Sequence, residues 1–209
     1  MPRPDAAAGS AAPRRRGRPA GTRTGGTETR ERILGAARTE FSARGYDRTS
    51  IRSIAKAAAV DPALVHHYFG TKEQIFGASI EVSFAPALQV PEAMMSGGPA
   101  QAGERMARFV FGIWEDPATR DPLLAILRSA LTNETAAGVF RDMITRRLLS
   151  RVAGELRGPD PQLRVQLAVA QMIGVAMLRY VVKVEPIASA DMDTVVAMVA
   201  PTLQGYLTG

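Results

Sequence analysis

The chain has two histidines, His66 and His67, and no cysteine. Adjacent histidines do not share a helix face, because side chains that meet on a helix are three or four residues apart, so a paired-imidazole metal site is excluded. Without thiols there is no disulfide framework, no sulfur nucleophile and no thiolate-held zinc or iron–sulfur cluster. The acidic residues are scattered, and no glycine-rich phosphate loop is present. No cofactor or metal is expected, and a helical enzyme lacks a titrating constellation. What the residue types can do is bind. In Pro62-Ala-Leu-Val-His-His-Tyr68, the side chains left outside a helical core are Pro62, Ala63, His66, His67 and Tyr68. That face has little charge, several donors and a phenol, which suits base edges and phosphates in a major groove.

Those residues need two short helices to present them. Ser50 is placed to cap a helix over 51–58, and Asp61 one reaching about Tyr68, with Pro62 at the first position, where proline is tolerated. Ala55 is the small residue at the crossing, Ala58-Ala59-Val60 the turn, and Ile51, Ile54, Val60, Leu64 and Val65 the packing set, the pattern of a helix-turn-helix. The same spacing occurs in helical domains that never touch nucleic acid, so by itself it leaves both readings open.

Around this pair the chain reads as all-α, with about nine helices, no period-2 stretch and no internal repeat. Ile33, Leu34, Ala37 and Phe41 recur at helical spacing from about Thr27, with Thr27 or Thr29 as cap and Gly45 as the left-handed residue ending the helix. Thr71-Lys-Glu-Gln74 is a capping box opening a helix to about Phe84. Residues 86–103, with three prolines and three glycines, read as a loop or broken helix. Further helices are expected over 101–114, 117–131, 135–156, 161–184 and 191–207.

The net charge of +6 is unevenly spread: +5 over residues 1–26, +2 over 27–74 and −1 over 75–209. An anionic partner is therefore to be sought at the N-terminal end. Residues 1–26, rich in Pro, Gly, Ala and Arg without apolar periodicity, read as a disordered basic arm. The arm has no apolar signal core, and no uninterrupted apolar run reaches the roughly 18 residues of a membrane span. A cytoplasmic chain with no membrane partner is expected.

The stretch Thr29-Arg-Glu-Arg-Ile-Leu-Gly-Ala-Ala-Arg-Thr-Glu-Phe-Ser-Ala-Arg-Gly-Tyr46, followed by Thr49-Ser-Ile-Arg-Ser-Ile-Ala-Lys-Ala-Ala-Ala-Val60 and Asp61-Pro-Ala-Leu-Val-His-His-Tyr-Phe-Gly-Thr-Lys-Glu-Gln-Ile-Phe76, resembles the DNA-binding domain of the tetracycline-repressor (TetR) family over about 48 of 209 residues. The resemblance implies a helix-turn-helix domain over 27–75 and a ligand-binding and dimerisation domain over 76–209. It implies that Thr49 and Ser50 hold a phosphate and that Arg52 reaches a base or phosphate. Pro62, Ala63, Leu64 and His66 would lie against bases, His67 and Tyr68 against the backbone or groove edge, and Lys72 on a phosphate at a helix N-terminus. Leu64 purely in the core and Tyr68 packed under the first helix are the competing readings. Two departures stand out: Ala59 where the family usually has glycine, and Ser53 where an acid usually completes the cap. In the arm, Arg16-Gly-Arg18-Pro19 looks like an AT-hook core whose arginines lie in an A·T-rich minor groove, with an untuned basic tail as the alternative.

The last two helices are the most apolar. Leu163, Leu167, Ala170, Gly174, Met177, Leu178 and Val181 fall on one face, and Val195, Val199, Leu203 and Tyr206 on another. The resemblance implies that both helices pair with their copies in a second subunit. Phe109, Ile113, Trp114, Leu127, Met172 and Val175 are candidate pocket residues, with Arg128 and Gln171 to orient a polar group, although such residues are more often plain core. The reading is a homodimeric regulator of double-stranded DNA, most simply a repressor that leaves a palindromic operator when an unidentified small molecule binds. An activator or global regulator of the same fold, or a ligand carrier without DNA activity, are the alternatives.

Overall fold

A computed structural model describes residues 23–209, and all of their regular structure is helical. The arm's residues 1–22, with Arg16 and Arg18, lie outside the described residues. Helix α1 spans Arg23–Arg48, so Thr27 and Thr29 lie inside it rather than capping it. Its regular course breaks at Gly45, whose φ of 74° is the left-handed conformation expected there.

Helix α2 (Ile51–Ala57) starts on a complete capping box: the Ser53 amide donates to Ser50 Oγ and the Ser50 amide to Ser53 Oγ, both at 3.0 Å. Serine thus fills the place the family gives to an acid. At the other end Ala59 holds φ 52°, while its amide donates to the Lys56 carbonyl at 3.2 Å and the Val60 amide to the Ala55 carbonyl at 3.0 Å. These two bonds form a Schellman ending, which keeps the turn although alanine is strained in this region by about 1 kcal/mol. Ala59→Gly is therefore expected to stabilise the protein by up to about 0.5 kcal/mol in denaturant unfolding, because the strain released slightly exceeds the added freedom of the unfolded chain. Helix α3 (Pro62–Phe69) opens on Asp61, whose carboxylate accepts from the Ala63 amide at 2.7 Å. Helix α4 (Lys72–Phe84) opens on the Thr71/Gln74 box.

The 86–103 stretch is a broken helix, with short α5 (Val90–Met95) between two 3-10 turns. Beyond it come α6 (Ala102–Glu115), α7 (Pro117–Thr132), α8 (Glu134–Ile144), α9 (Ser150–Glu155), α10 (Pro161–Ala176) and α11 (Met192–Thr208). A π-turn over Thr145–Leu149 carries α8 on into α9, so the chain is continuously helical over 134–155 where one helix was expected over 135–156, and a second over Met177–Val182 extends α10.

Two hydrophobic cores result. The first gathers Ile33, Phe41, Ile54, Val65, Ile75 and Phe76 beneath the three N-terminal helices and continues into α7 and α8 through Leu123, Ile126, Ala136 and Met143. The second holds Met106, Phe111, Val152, Val165, Met172, Val196 and Leu203. Within it α11 packs chiefly on α6. Gly103 makes that approach possible: a Cβ there would sit 2.5 Å from the Ala200 carbonyl oxygen. This packing corrects the sequence assignment of Val195, Val199 and Leu203 to a dimer surface, since all three are buried within the subunit against α6 and its neighbours, with Tyr206 half-buried beside them. What α11 exposes instead is Ala197, Met198, Pro201, Thr202 and Gly205. On α10 the expected face is open: Leu163, Leu167, Ala170, Gly174, Leu178 and Val181 are exposed and Met177 is half-buried. The segment Pro161–Val182 is long and apolar enough to cross a membrane by length and composition, yet Val165, Ala168, Met172 and Ala176 on its other face belong to the core of the bundle.

Candidate nucleic-acid interface and cavity

Helix α3 buries Val65 and Phe69 and turns Pro62, Ala63, Leu64, His66 and His67 outward. Leu64 is 39% exposed, so it is a surface leucine rather than part of the core. Arg30 stacks over the Phe69 ring at 4.9 Å, and Arg32 donates to the Ala58 carbonyl at 3.1 Å, so two arginines of α1 hold the turn and the end of α3 in place. His66 Nδ1 lies 2.9 Å from the Gly70 carbonyl, which requires the proton on Nδ1 and leaves Nε2 facing away as an acceptor when the ring is neutral. Tyr68 is half-buried on the first core, its hydroxyl close to Gly26 of α1, and His67 meets its ring edge-on at 5.2 Å. Tyr68 therefore packs beneath the first helix, the second of its two sequence readings.

Ser50 and Arg52 are exposed at the start of α2, and the Ser50 hydroxyl keeps its proton free to donate. Thr49 corrects the sequence reading. It is 1% exposed and its hydroxyl donates to the Gly45 carbonyl at 2.8 Å, so it closes the α1–α2 corner and has nothing left for a phosphate.

Lys72, at the N-terminus of α4, sits 4.2 Å above the Tyr46 ring with its Nζ 3.5 Å from the Asp47 carbonyl. Partial burial pushes its pKa down, while Asp47 and Glu73 oppose the shift. Tyr46 donates to Glu73 Oε1 at 2.8 Å, and burial first, then Glu73, raises its phenol pKa well above the ordinary value. The Thr71 hydroxyl, more than the Tyr46 bond, holds the Glu73 carboxyl below its usual range. A cation already partly stripped of water, lying over an aromatic face at the positive end of a helix, is suited to receive an anionic oxygen.

This corner is bolted to the body. The Tyr46 amide donates to Ser129 Oγ at 3.2 Å, and Asn133 Nδ2 to Asp47 Oδ1 at 2.7 Å, while Asn133 Oδ1 caps α8 through the Ala136 amide at 2.8 Å.

Between α4 and the helices α6 to α10 lies a cavity of about 300 Å³. Apolar walls offer water few partners there, so the space is suited to a hydrophobic guest. Ile113, Trp114, Leu127 and Met172 line it as expected. Four other candidates do not. Phe109 packs between the two cores, Val175 packs on the second, Arg128 is exposed on an outer groove with Ser42 and Asp121, and Gln171 is half-buried away from the lining. The walls that sequence reasoning missed include Phe84, Phe140, Leu148 and Gln166. The apolar helical spacing of the first three is identical to that of core residues, so no sequence signal separates them.

The parts together define a helix-turn-helix head on a helical body that encloses an apolar cavity. Residues 33–78 match the model of bacterial regulatory proteins of the tetR family, and residues 100–207 match the tetracyclin repressor-like C-terminal domain. A TetR-family regulator from Streptomyces coelicolor superposes with a TM-score of 0.70 at 40% identity, covering 90% of this chain and 99% of that one. The transcriptional regulator UidR of Escherichia coli is 42% identical over 52 residues, 25% of this chain and 26% of its own length. The transcriptional repressor Rv3405c of Mycobacterium tuberculosis is 45% identical over 58 residues, 28% and 31% of the two chains. The chain thus spans about a quarter to a third of the curated relatives it matches. The complex of SmeT with triclosan shares the fold at 23% identity with a TM-score of 0.61.

The chain belongs to the TetR family. It is a DNA-binding transcriptional regulator, in a family of regulators and not of enzymes.

Proposed function

We propose that the protein is a cytoplasmic, homodimeric repressor whose two α3 helices enter successive major grooves of a palindromic operator, and that a small molecule in the cavity releases it. The observation that carries this reading is the span of α4. Its first residue, Lys72, stands at the anion-receptive corner and its last, Phe84, is a wall of the cavity. A guest that displaces Phe84 tilts the same rigid helix that carries Lys72. A second link runs along α7, from Leu123 and Leu127 in the cavity wall to Ser129, and through the adjoining Asn133 to Tyr46 and Asp47.

The open face of α10 supports the dimer. Leucines at helical spacing flank Ala170 and Gly174, and a Cβ added at Gly174 would meet nothing within 4 Å in its own subunit. A second α10 can approach closely there, with the exposed Ala197 and Gly205 of α11 beside it. The names of relatives agree with this reading: Rv3405c is a repressor and SmeT binds triclosan. In this account Ser50, Arg52 and Lys72 hold phosphates, Pro62, Ala63, Leu64 and His66 face bases, and Arg16 and Arg18 of the arm add salt-dependent affinity.

The test is fluorescence anisotropy of the full chain on fragments selected from genomic DNA. Lys72→Ala is expected to weaken binding about tenfold on every fragment and to make the plot of log affinity against log salt shallower by about one unit. An unchanged slope would remove the α4 terminus from the interface.

A further inference from the structure

The chemistry of the cavity is narrower than its size. Its walls are aliphatic and aromatic, with Phe84, Trp114 and Phe140 as rings and Met106 and Met172 as adaptable packing; among the described residues Gln166, exposed on α10, is the one lining side chain with an amide, and the Trp114 indole N–H is the other donor. Among the described residues no charged side chain lines it.

Four arginines on or next to the lining helices are engaged elsewhere. Arg147 pairs with Glu81, and Arg151 pairs with Glu92 and donates to the Leu88 carbonyl at 3.2 Å. Arg120 lies over the Tyr180 ring and reaches the Trp114 carbonyl at 3.4 Å. Arg179 donates to the Ile187 and Ala190 carbonyls at 2.8 and 2.6 Å and approaches Glu115. A carboxylate or phosphate entering the cavity would lose water and find no cation, and an ammonium would find no carboxylate. The volume lies at the lower end of the roughly 300–1,000 Å³ of ligand pockets, which selects a compact guest.

We infer that the cavity takes a neutral, mostly hydrophobic molecule with a single hydrogen-bonding group, such as an alcohol, phenol, ester or ketone, oriented by Gln166. This rests on the proposed regulatory reading for the cavity's role, and it adds the chemical class of the ligand.

Trp114 is the chain's one tryptophan and stands in the cavity wall, so its emission reports occupancy directly. The experiment titrates the full chain at pH 7 with decan-1-ol, decanoate and decylammonium, three probes of one skeleton. The alcohol is expected to shift Trp114 emission saturably, with each charged analogue at least about tenfold weaker. Gln166→Leu, a change at an exposed position, is expected to weaken the alcohol about threefold to tenfold while sparing decane. A charged analogue binding as well as the alcohol overturns the inference, and so does a set of probes none of which moves the emission up to its solubility limit. DNA release is read separately by anisotropy. An alcohol that binds without releasing DNA upholds the ligand class and overturns the proposed switch.

Discussion

Leu64→Glu is expected to abolish specific DNA binding, by on the order of 100-fold or more, while leaving the fold and its thermal transition intact. Leu64 is 39% exposed on the outer face of α3, between Ala63 and the buried Val65, and glutamate is a good helix former, so the folded chain gives up little. On DNA the same position would lie among base edges and phosphates. A carboxylate there exchanges an apolar contact for a desolvated charge in the negative potential of the duplex. Circular dichroism and operator titration of the same sample separate the two effects. Undiminished binding would mean that this face of α3 does not enter the groove.

The second large effect concerns what holds α3 in place. Phe76 is fully buried in α4, with the rings of Phe41 and Tyr46 each 4.9 Å away and edge-on to it. These three side chains join α1, the α1–α2 corner and α4 in one cluster. Phe76→Ala is expected to cost about 3–5 kcal/mol, a large part of the stability of a domain of this size. The loss appears as a fall in the denaturant midpoint, together with loss of DNA binding at temperatures the parent tolerates. A cost below about 1 kcal/mol would show that the cluster is not the keystone of the head.

How far the sequence revealed the molecule follows from the range of the forces involved. Caps and turns are local, so Ser50, Asp61, Thr71, Gly45 and the strained Ala59 were all legible from a few neighbouring residues. The face of α3 was legible only in part: Pro62, Ala63, His66 and His67 are exposed as their spacing requires, whereas Leu64, placed in the packing set, is exposed and Tyr68, placed on the outer face, packs beneath α1. The faces of α11 were not. Val195, Val199 and Leu203 are apolar at helical spacing whether they meet a second subunit or α6, and the deciding residue, Gly103, lies some hundred positions away in the chain. The cavity was half legible for the same reason. Trp114 and Leu127 line it while Phe109, on the same helix as Trp114, fills a core, a distinction set by helix crossing and not by residue type. Thr49 shows a third limit: a motif assigns a residue type to a phosphate, but the hydroxyl here is used inside the corner that presents its neighbour Ser50.

The central claim is that two copies of the α3 face read one operator through the major groove. Methylation protection at guanine N7 on a selected operator, with the full chain bound, tests it most directly. The account predicts two patches of protection about one helical turn, roughly 34–36 Å, apart and related by the operator's dyad, both lost with Leu64→Glu. Protection confined to the minor groove, or two patches that survive that substitution, would contradict it.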